Sequence, residues 1–369
     1  MDKVSERAPQ ALVVGARGGY GQQMVQTLAA HGWGVRAFMR PVGAGAGAGV
    51  AAGRAVVGEL AGGVIQTLWG DAIDAQALRH AATGVDVLVH AVNPPGYRHW
   101  DTLALPMLRA SMAAAAQQGA RLVMPGNVYN YAPDVPQPVA ETAPQRPLTR
   151  KGLVRVQMEH ALRDAAEREG LASLVMRAGD FFGGVGPSSW FNICMAKPGQ
   201  PVRRIVDPHL PGVGHTWAYL PDLAEATARV LALGLREPQR LARAECLHFK
   251  GHELADGQAL ARCIADVVLA QGLPAPQRSA MPWWLVHALA WAVPMLSEVR
   301  EMRYLWQQPL TLDNRRLLAL VGPEPHTPLA RAVADTLMRQ GCLPAGPEGA
   351  EANKTANSAA ISTSIRTPA

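Results

Sequence analysis

The residues best placed to do chemistry lie close to the amino terminus. Gly15, Gly18, Gly19 and Gly21 follow an apolar run, Ala11 to Val14, and a helical apolar period resumes at Met24 and Leu28. Strand, glycine turn and helix in that order let the backbone approach a pyrophosphate. The helix amino end adds free N–H groups and a positive dipole end. Arg17 and Tyr20 belong to the same turn. At the end of the next expected strand, Trp33 to Met39, stands Arg40 where an acid would bind the adenosine 2′-OH. An arginine there accommodates a 2′-phosphate instead. Arg40, helped by Arg17, points to NADP, with NAD as the second choice.

Acid–base work needs a titratable group beside the reacting atoms. In an open α/β sheet, ligands gather at the carboxyl ends of the strands. That position selects Tyr129 and Tyr131 after the strand at Arg121 to Met124, and Asp180 after the strand at Leu171 to Met176. His215, Trp217 and Tyr219 precede a helix at Pro221. Asn93, Tyr97 and Arg98 follow the strand at Asp86 to Val92, and Tyr97, Arg98, Asp180 and His215 are the substrate-side candidates. His90, inside that strand, reads as a core histidine.

The elements that must position these groups alternate between strand and helix. Apolar runs suited to buried strands fall at Ala11–Gly15, Trp33–Met39, Val64–Trp69, Asp86–Val92, Arg121–Met124 and Leu171–Met176, with a short one at Cys246–Lys250. Helical stretches lie between most of them, which predicts a parallel sheet built from βαβ units. The fold class is α/β, a Rossmann-type doubly wound sheet with a smaller C-terminal substrate lobe. Residues 10–342 form one unit, the lobe coming mainly from 180–220 and 240–340. Residues 343–369 are polar and small-sided and read as a disordered tail. Pro41 to Gly63, rich in Gly and Ala, reads as a flexible insertion or poorly ordered helix. Pro125 to Pro147 is too long for a mere connection and is a candidate functional loop.

With 369 residues, nearly half of them hydrophobic, the chain has material for a large core. Its net charge of +6 favours anionic ligands, but the basic residues are scattered, which argues against nucleic acid. Four cysteines far apart suggest neither a metal knuckle nor a disulfide framework, so no metal is expected. The N-terminal residues lack a signal peptide's apolar run, and cytoplasm is the expected compartment. Met281 to Leu296 holds Trp283, Trp284 and Trp291 but is too short for a bilayer span. Packing within the lobe is expected, and membrane contact is not. A homodimer stays open.

Gly15-x-x-Gly18-x-x-Gly21, Gly70-Asp71, Val87-Leu-Val-His-Ala-Val92, Asn127-Val-Tyr-Asn130, Arg177-Ala-Gly-Asp-Phe-Phe-Gly183 and His215-Thr-Trp-Ala-Tyr-Leu-Pro-Asp-Leu-Ala224 occur in this order. Together they resemble the extended and atypical short-chain dehydrogenase/reductase superfamily, the NAD(P)-dependent epimerase/dehydratase group, across roughly residues 10–330. The resemblance implies that Asp71 contacts the adenine, that Ala91, Val92 and Asn93 line the cofactor, and that Ala178 to Phe181 lie near the nicotinamide. The superfamily's catalytic set is a Ser or Thr with a YxxxK pair. Here the pair is replaced by Lys151-x-x-x-Arg155, and the hydroxyl residue falls on Pro125-Gly126. Lys151 and Arg155, one helical turn apart, are suited to cofactor phosphate or ribose but not to the phenol's role. Tyr129 matches a family tyrosine that is usually structural, so Tyr131 and Lys151 stand as the catalytic candidates. The implied function is an NAD(P)-binding oxidoreductase, or an epimerase/dehydratase relative, acting on a small carbonyl or hydroxyl compound. The alternative is a dinucleotide-binding regulatory or assembly protein without turnover.

Overall fold

The computed structural model describes residues 7–41, 53–60, 63–94, 100–186 and 189–344. Strands and helices run in the order β1 (Gln10–Val14), α1 (Gly19–Ala30), β2 (Gly34–Met39), β3 (Gly53–Leu60), β4 (Gly63–Trp69), α2 (Ala75–Ala81), β5 (Val87–His90), α3 (Trp100–Gln118), β6 (Arg121–Gly126), α4 (Arg150–Arg168) and β7 (Ser173–Ala178). There follow β8 (Asp180–Phe182), β9 (Arg204–Asp207), β10 (His215–Tyr219), α5 (Leu220–Arg236), β11 (Ala244–Phe249), β12 (His252–Leu254), α6 (Ala259–Ala270), β13 (Gln277–Ala280), α7 (Trp283–Leu289), α8 (Pro294–Glu301), α9 (Arg315–Val321) and α10 (Leu329–Arg339).

The central sheet has the order β11-β7-β6-β5-β1-β2-β4-β3. Every neighbouring pair is parallel except β3 with β4. Its inner strands are buried on both faces, which is why β1, β5 and β7 read as continuous apolar runs rather than alternating ones. One face is covered by α1 and α5, packed on each other, and the other by α2, α3 and α4. The chain leaves β1 towards β2 on one side and later returns to β5 on the other. The crevice at their carboxyl ends is therefore the topological switch point.

A second core belongs to the lobe, which carries the sheets β12-β10-β8 and β13-β9. It includes Trp190, Phe191, Trp217, Trp306 and Leu337. Burial continues through Cys342 and Leu343, so the packed chain reaches one residue into the expected tail; residues 345–369 lie outside the described residues.

Two local expectations change. Within Pro41–Gly63, residues 53–60 are a strand, not a loop or helix. They pair antiparallel with β4, whose open edge supplies backbone partners whatever the side chains. In Met281–Leu296 the apolar stretch breaks into α7 and α8. Only Trp283 is partly packed, while Trp284 and Trp291 stand in solvent.

Candidate functional site

The glycine turn meets the strand beside it at close range. Gly15 has φ +86°, and a Cβ there would lie 2.7 Å from the Ala91 carbonyl oxygen. Only glycine fits a left-handed turn pressed against a neighbouring chain. The turn leads into α1, whose N-cap is Gly18 and has no side-chain cap. First-turn N–H groups of such a helix need an outside partner.

Two adjoining cavities open here and share Arg17, Gly18, Ala91 and Asn93. The first, about 390 Å³, is lined by Gly15, Met39, Arg40, Asp71 and Val92 among others. Arg17 donates to the Arg40 carbonyl oxygen at 2.8 Å and lies over the Trp69 ring. Asp71 is buried and accepts from the Ile73 N–H at 3.2 Å. The second cavity, about 380 Å³, takes in Gly19, Tyr20, Trp100, Tyr129, Lys151, Arg155, Asp180 and Phe181. The Tyr20 phenol itself is turned to α5, 3.1 Å from Thr227 Oγ1. Ala178 is fully buried in β7, and the cleft lining starts with Gly179. Tyr97 and Arg98 lie outside the described residues.

Helix α4 delivers both cations. Thr149 caps it, accepting from the Gly152 N–H at 3.0 Å. A Cβ on Gly152 would stand 2.3 Å from the Tyr129 carbonyl oxygen, so glycine lets the helix start against that loop. Lys151 and Arg155, both buried, thereby reach the cleft wall beside Tyr129. Arg155 Nη2 donates to Asn93 Oδ1 at 3.1 Å and Nη1 to the Pro125 carbonyl at 3.4 Å, with its guanidinium over the Trp100 ring. Its buried Nε has no hydrogen-bond partner. Burial pulls the guanidinium pKa down, against the pull of Tyr129 and Glu159.

The two tyrosines after β6 go opposite ways. The Tyr129 hydroxyl lines the cleft and donates to Asp180 Oδ1 at 3.3 Å; Asp180 Oδ2 is 2.9 Å from His215 Nε2. His215 is stacked on Trp306 with ring centroids 4.4 Å apart. Tyr131, expected to face the cleft, does not: it is fully buried and bonded to His248 Nε2 at 3.0 Å and to Arg177 Nη1. Burial raises its pKa well above the ordinary phenol value. A phenol so placed lies off the cleft wall, which Tyr129 lines instead.

Arg177 is the centre of that buried cluster. Its Nε and Nη2 reach Glu159 Oε1 and Oε2 at 3.0 and 2.5 Å. Burial would raise the Glu159 carboxyl, but Arg177, Gln145 and Asn130 overcome this and hold it below the ordinary range. His248 is lowered to about 4 by burial and by Arg177. His90 is lowered to about 3 by burial and then by Arg155; its Nδ1 bonds Ser111 Oγ at 2.9 Å, and its buried Nε2 has no partner.

Several residues on or behind the cleft wall carried no sequence signal. Trp100 and Trp190 read as ordinary apolar residues. Gln340, at the end of α10, donates to the Gly184 carbonyl at 2.8 Å, and Asn192 donates there at 3.3 Å from a single π-turn, Phe191–Met195. Tyr304, with a buried hydroxyl that lacks a partner, is raised by burial and by the charge of Asp180. Among the described residues no cluster of His, Cys, Asp and Glu suits a metal, and no helix is long and apolar enough to cross a membrane.

Solved structures share this fold. UDP-glucose 4-epimerase of Thermus thermophilus, in complex with NAD, is 17% identical, with a TM-score of 0.64 over 90% of this chain and 98% of its own. The dTDP-glucose 4,6-dehydratase DesIV of Streptomyces venezuelae, also with NAD, is 17% identical, with a TM-score of 0.63 over 89% and 96%. No curated protein matches the sequence. The model of the NAD dependent epimerase/dehydratase family matches residues 11–240, well over half the chain. The switch-point crevice, the glycine turn and this match agree: the chain belongs to the NAD-dependent epimerase/dehydratase family.

Proposed function

We propose that the protein binds NADP(H) in the paired cavities and catalyses oxidation–reduction at a hydroxyl or carbonyl carbon of a small molecule. The observation that carries this reading is the Tyr129–Asp180–His215 chain, which ends in the cleft beside Lys151. The residues present fit a dinucleotide. Gly15 lets the turn press against the backbone of Ala91 and Val92, both on the wall of the first cavity, the amino end of α1 lacks a side-chain cap, and Arg155 Nε is a buried donor that lacks an acceptor. NAD in the two solved neighbours supports a nicotinamide cofactor. Arg40 and Arg17 at the adenosine end, with no acid at the end of β2, support the 2′-phosphate form.

When bound, the nicotinamide donates or accepts a hydride. Lys151 and Arg155 would hold the cofactor's ribose or phosphate oxygens, and Trp100 keeps the Arg155 plane in place. Tyr129 replaces the missing YxxxK phenol. A substrate hydroxyl gives its proton to Tyr129 Oη as the phenol passes its own to Asp180 Oδ1, while His215 keeps the other carboxylate oxygen bonded. In the reverse direction Asp180 returns that proton. The alternative, dinucleotide binding without turnover, is favoured by one observation: the usual pair has become Lys151 and Arg155.

Titration with NADPH and NADH, followed by a carbonyl panel read at the reduced-cofactor absorbance, separates the two. NADPH oxidation that Tyr129→Phe and Asp180→Asn abolish supports turnover. Tight NADPH binding without oxidation of the cofactor across the panel supports the alternative, and no binding of either cofactor sinks both. An Arg40→Ser variant should shift the NADPH-to-NADH affinity ratio about tenfold towards NADH, a change of about 1.4 kcal/mol.

A further inference from the structure

One surface of the lobe is apolar where a soluble helix should be polar. Helix α7 turns Val286 inward, and Ala290 just after it is also buried, while Trp284 (75% exposed), Leu285, Leu289, Trp291 (85%) and Val293 stand in solvent. His287 is the one polar residue of α7. A surface helix in water carries its polar residues on the outer face, and one apolar all round has a second apolar phase to meet. Two tryptophans this exposed on one short segment mark an interaction site.

The charges around it choose the occupant. Arg278 on β13 and Arg203 and Arg204 at β9, the strand paired with β13, are exposed. So is Arg300 on α8, which packs on α7, and Arg303 lies over the Trp283 ring. From Gln277 to the end of α8 the sequence holds two acids, Glu298 and Glu301, and Glu301 is paired with Arg150. A second copy docking through the same face would set this basic rim against itself, on a chain that already carries +6. An anionic surface is complementary, and tryptophans beside arginines suit the headgroup level of a bilayer. Helix α7, about 10 Å long at 1.5 Å per residue, is of a size to lie in that layer.

We infer that the α7 face, with Trp284 and Trp291 at its centre and Arg278 and Arg300 on its rim, docks the protein on anionic lipid bilayers. The inference does not depend on the cofactor.

Flotation of the full chain with phosphatidylcholine vesicles, with and without phosphatidylglycerol, is the test. The protein should float with the mixed vesicles only, its tryptophan emission shifting to the blue, and raised salt should weaken binding. Arg278→Gln should lower partitioning about fivefold. The Trp284→Ser/Trp291→Ser chain should stay unbound while its far-UV circular dichroism and melting match wild type. Any of three results overturns the proposal: no flotation with anionic vesicles, flotation that survives loss of both tryptophans, or a wild-type dimer in sedimentation that the double variant turns into monomer.

Discussion

Two polar clusters are built from the same three segments and do opposite things. Helix α4 gives Lys151 and Arg155 to the cleft and, one turn further, Glu159 to the interior. The loop after β6 gives Tyr129 to the cleft and Tyr131 to the interior. Strand β7 gives Arg177 to the interior, and Asp180, just beyond it, to the cleft. In the interior cluster Arg177 and Glu159 meet through two bonds, and Tyr131, His248, Asn130 and Gln145 take up further capacity, although Asn130 Oδ1 is left without a partner. The cleft cluster keeps Arg155 Nε without a partner and its phenol on a cavity wall. A larger cavity, about 580 Å³, touches the interior cluster; of its three acids, Glu159 and Glu245 are paired with Arg177 and Arg316, and Glu141 accepts from the His248 N–H at 3.3 Å. Charge and burial alone do not separate structural from functional sites. Which side chains line the cleft at the switch point does: Tyr129, Lys151, Arg155 and Asp180 do, and Tyr131, Glu159 and Arg177 do not.

That contrast breaks most visibly at Arg177. Arg177→Met strands the Glu159 carboxylate, which is 3% exposed, and should cost about 3–5 kcal/mol in urea unfolding. NADPH affinity of the folded fraction should hardly change; a large loss of affinity at full stability would show that the interior cluster belongs to the cleft.

Acid tests the same cluster more gently. His248 is held neutral, with a folded pKa of about 4 against an ordinary 6.5. The unfolded chain therefore binds a proton first as pH falls, so stability is full above pH 6.5 and is lost down to about 4, by about 3 kcal/mol for this group. His90, lowered to about 3, adds loss over the same range. Urea midpoints in steps of pH should show His248→Gln with a slope shallower by up to about 1.4 kcal/mol per pH unit. Equal slopes would mean that His248 is not kept neutral by the fold.

Much of this was legible before any coordinates. Apolar runs announce strands buried on both faces, and Gly15 to Gly21 announces a turn no other residue type makes. The Lys151–Arg155 spacing put both cations on one helical face, and the structure leaves them there. What stayed hidden depended on contacts distant in sequence or on loop direction. Tyr129 and Tyr131 differ by two positions in an irregular loop, so no periodicity says which one faces the cleft. Arg177 was visible in its motif, but its bond to Glu159 joins different elements. Gln340 reaches Gly184 across 156 positions. For Trp284 and Trp291 the sequence reports apolar character but not that no described residue covers them.

On the cleft side, Lys151→Met keeps the length of the side chain and removes its charge. NADPH binding should weaken about 10- to 100-fold, the 1.5–3 kcal/mol of a charge-assisted hydrogen bond. Calorimetric titration checks it. A value within twofold of wild type would remove Lys151 from the cofactor site.

The smallest effect comes from the tyrosine pair, and it separates the clusters most finely. Tyr131→Phe removes a fully buried hydroxyl bonded to both Arg177 and His248, and should cost about 1–3 kcal/mol, the price of a buried partner left short. Tyr129→Phe removes a hydroxyl on a cavity wall. Asp180 keeps His215, so stability should change by less than about 1 kcal/mol. The functional readouts should invert: turnover falls with Tyr129→Phe and survives Tyr131→Phe at temperatures where the variant is folded. Melting temperature and carbonyl reduction, measured on the same two preparations, give four numbers. If both variants moved both quantities together, the two clusters would be one network, and the separation of cleft from interior would fail.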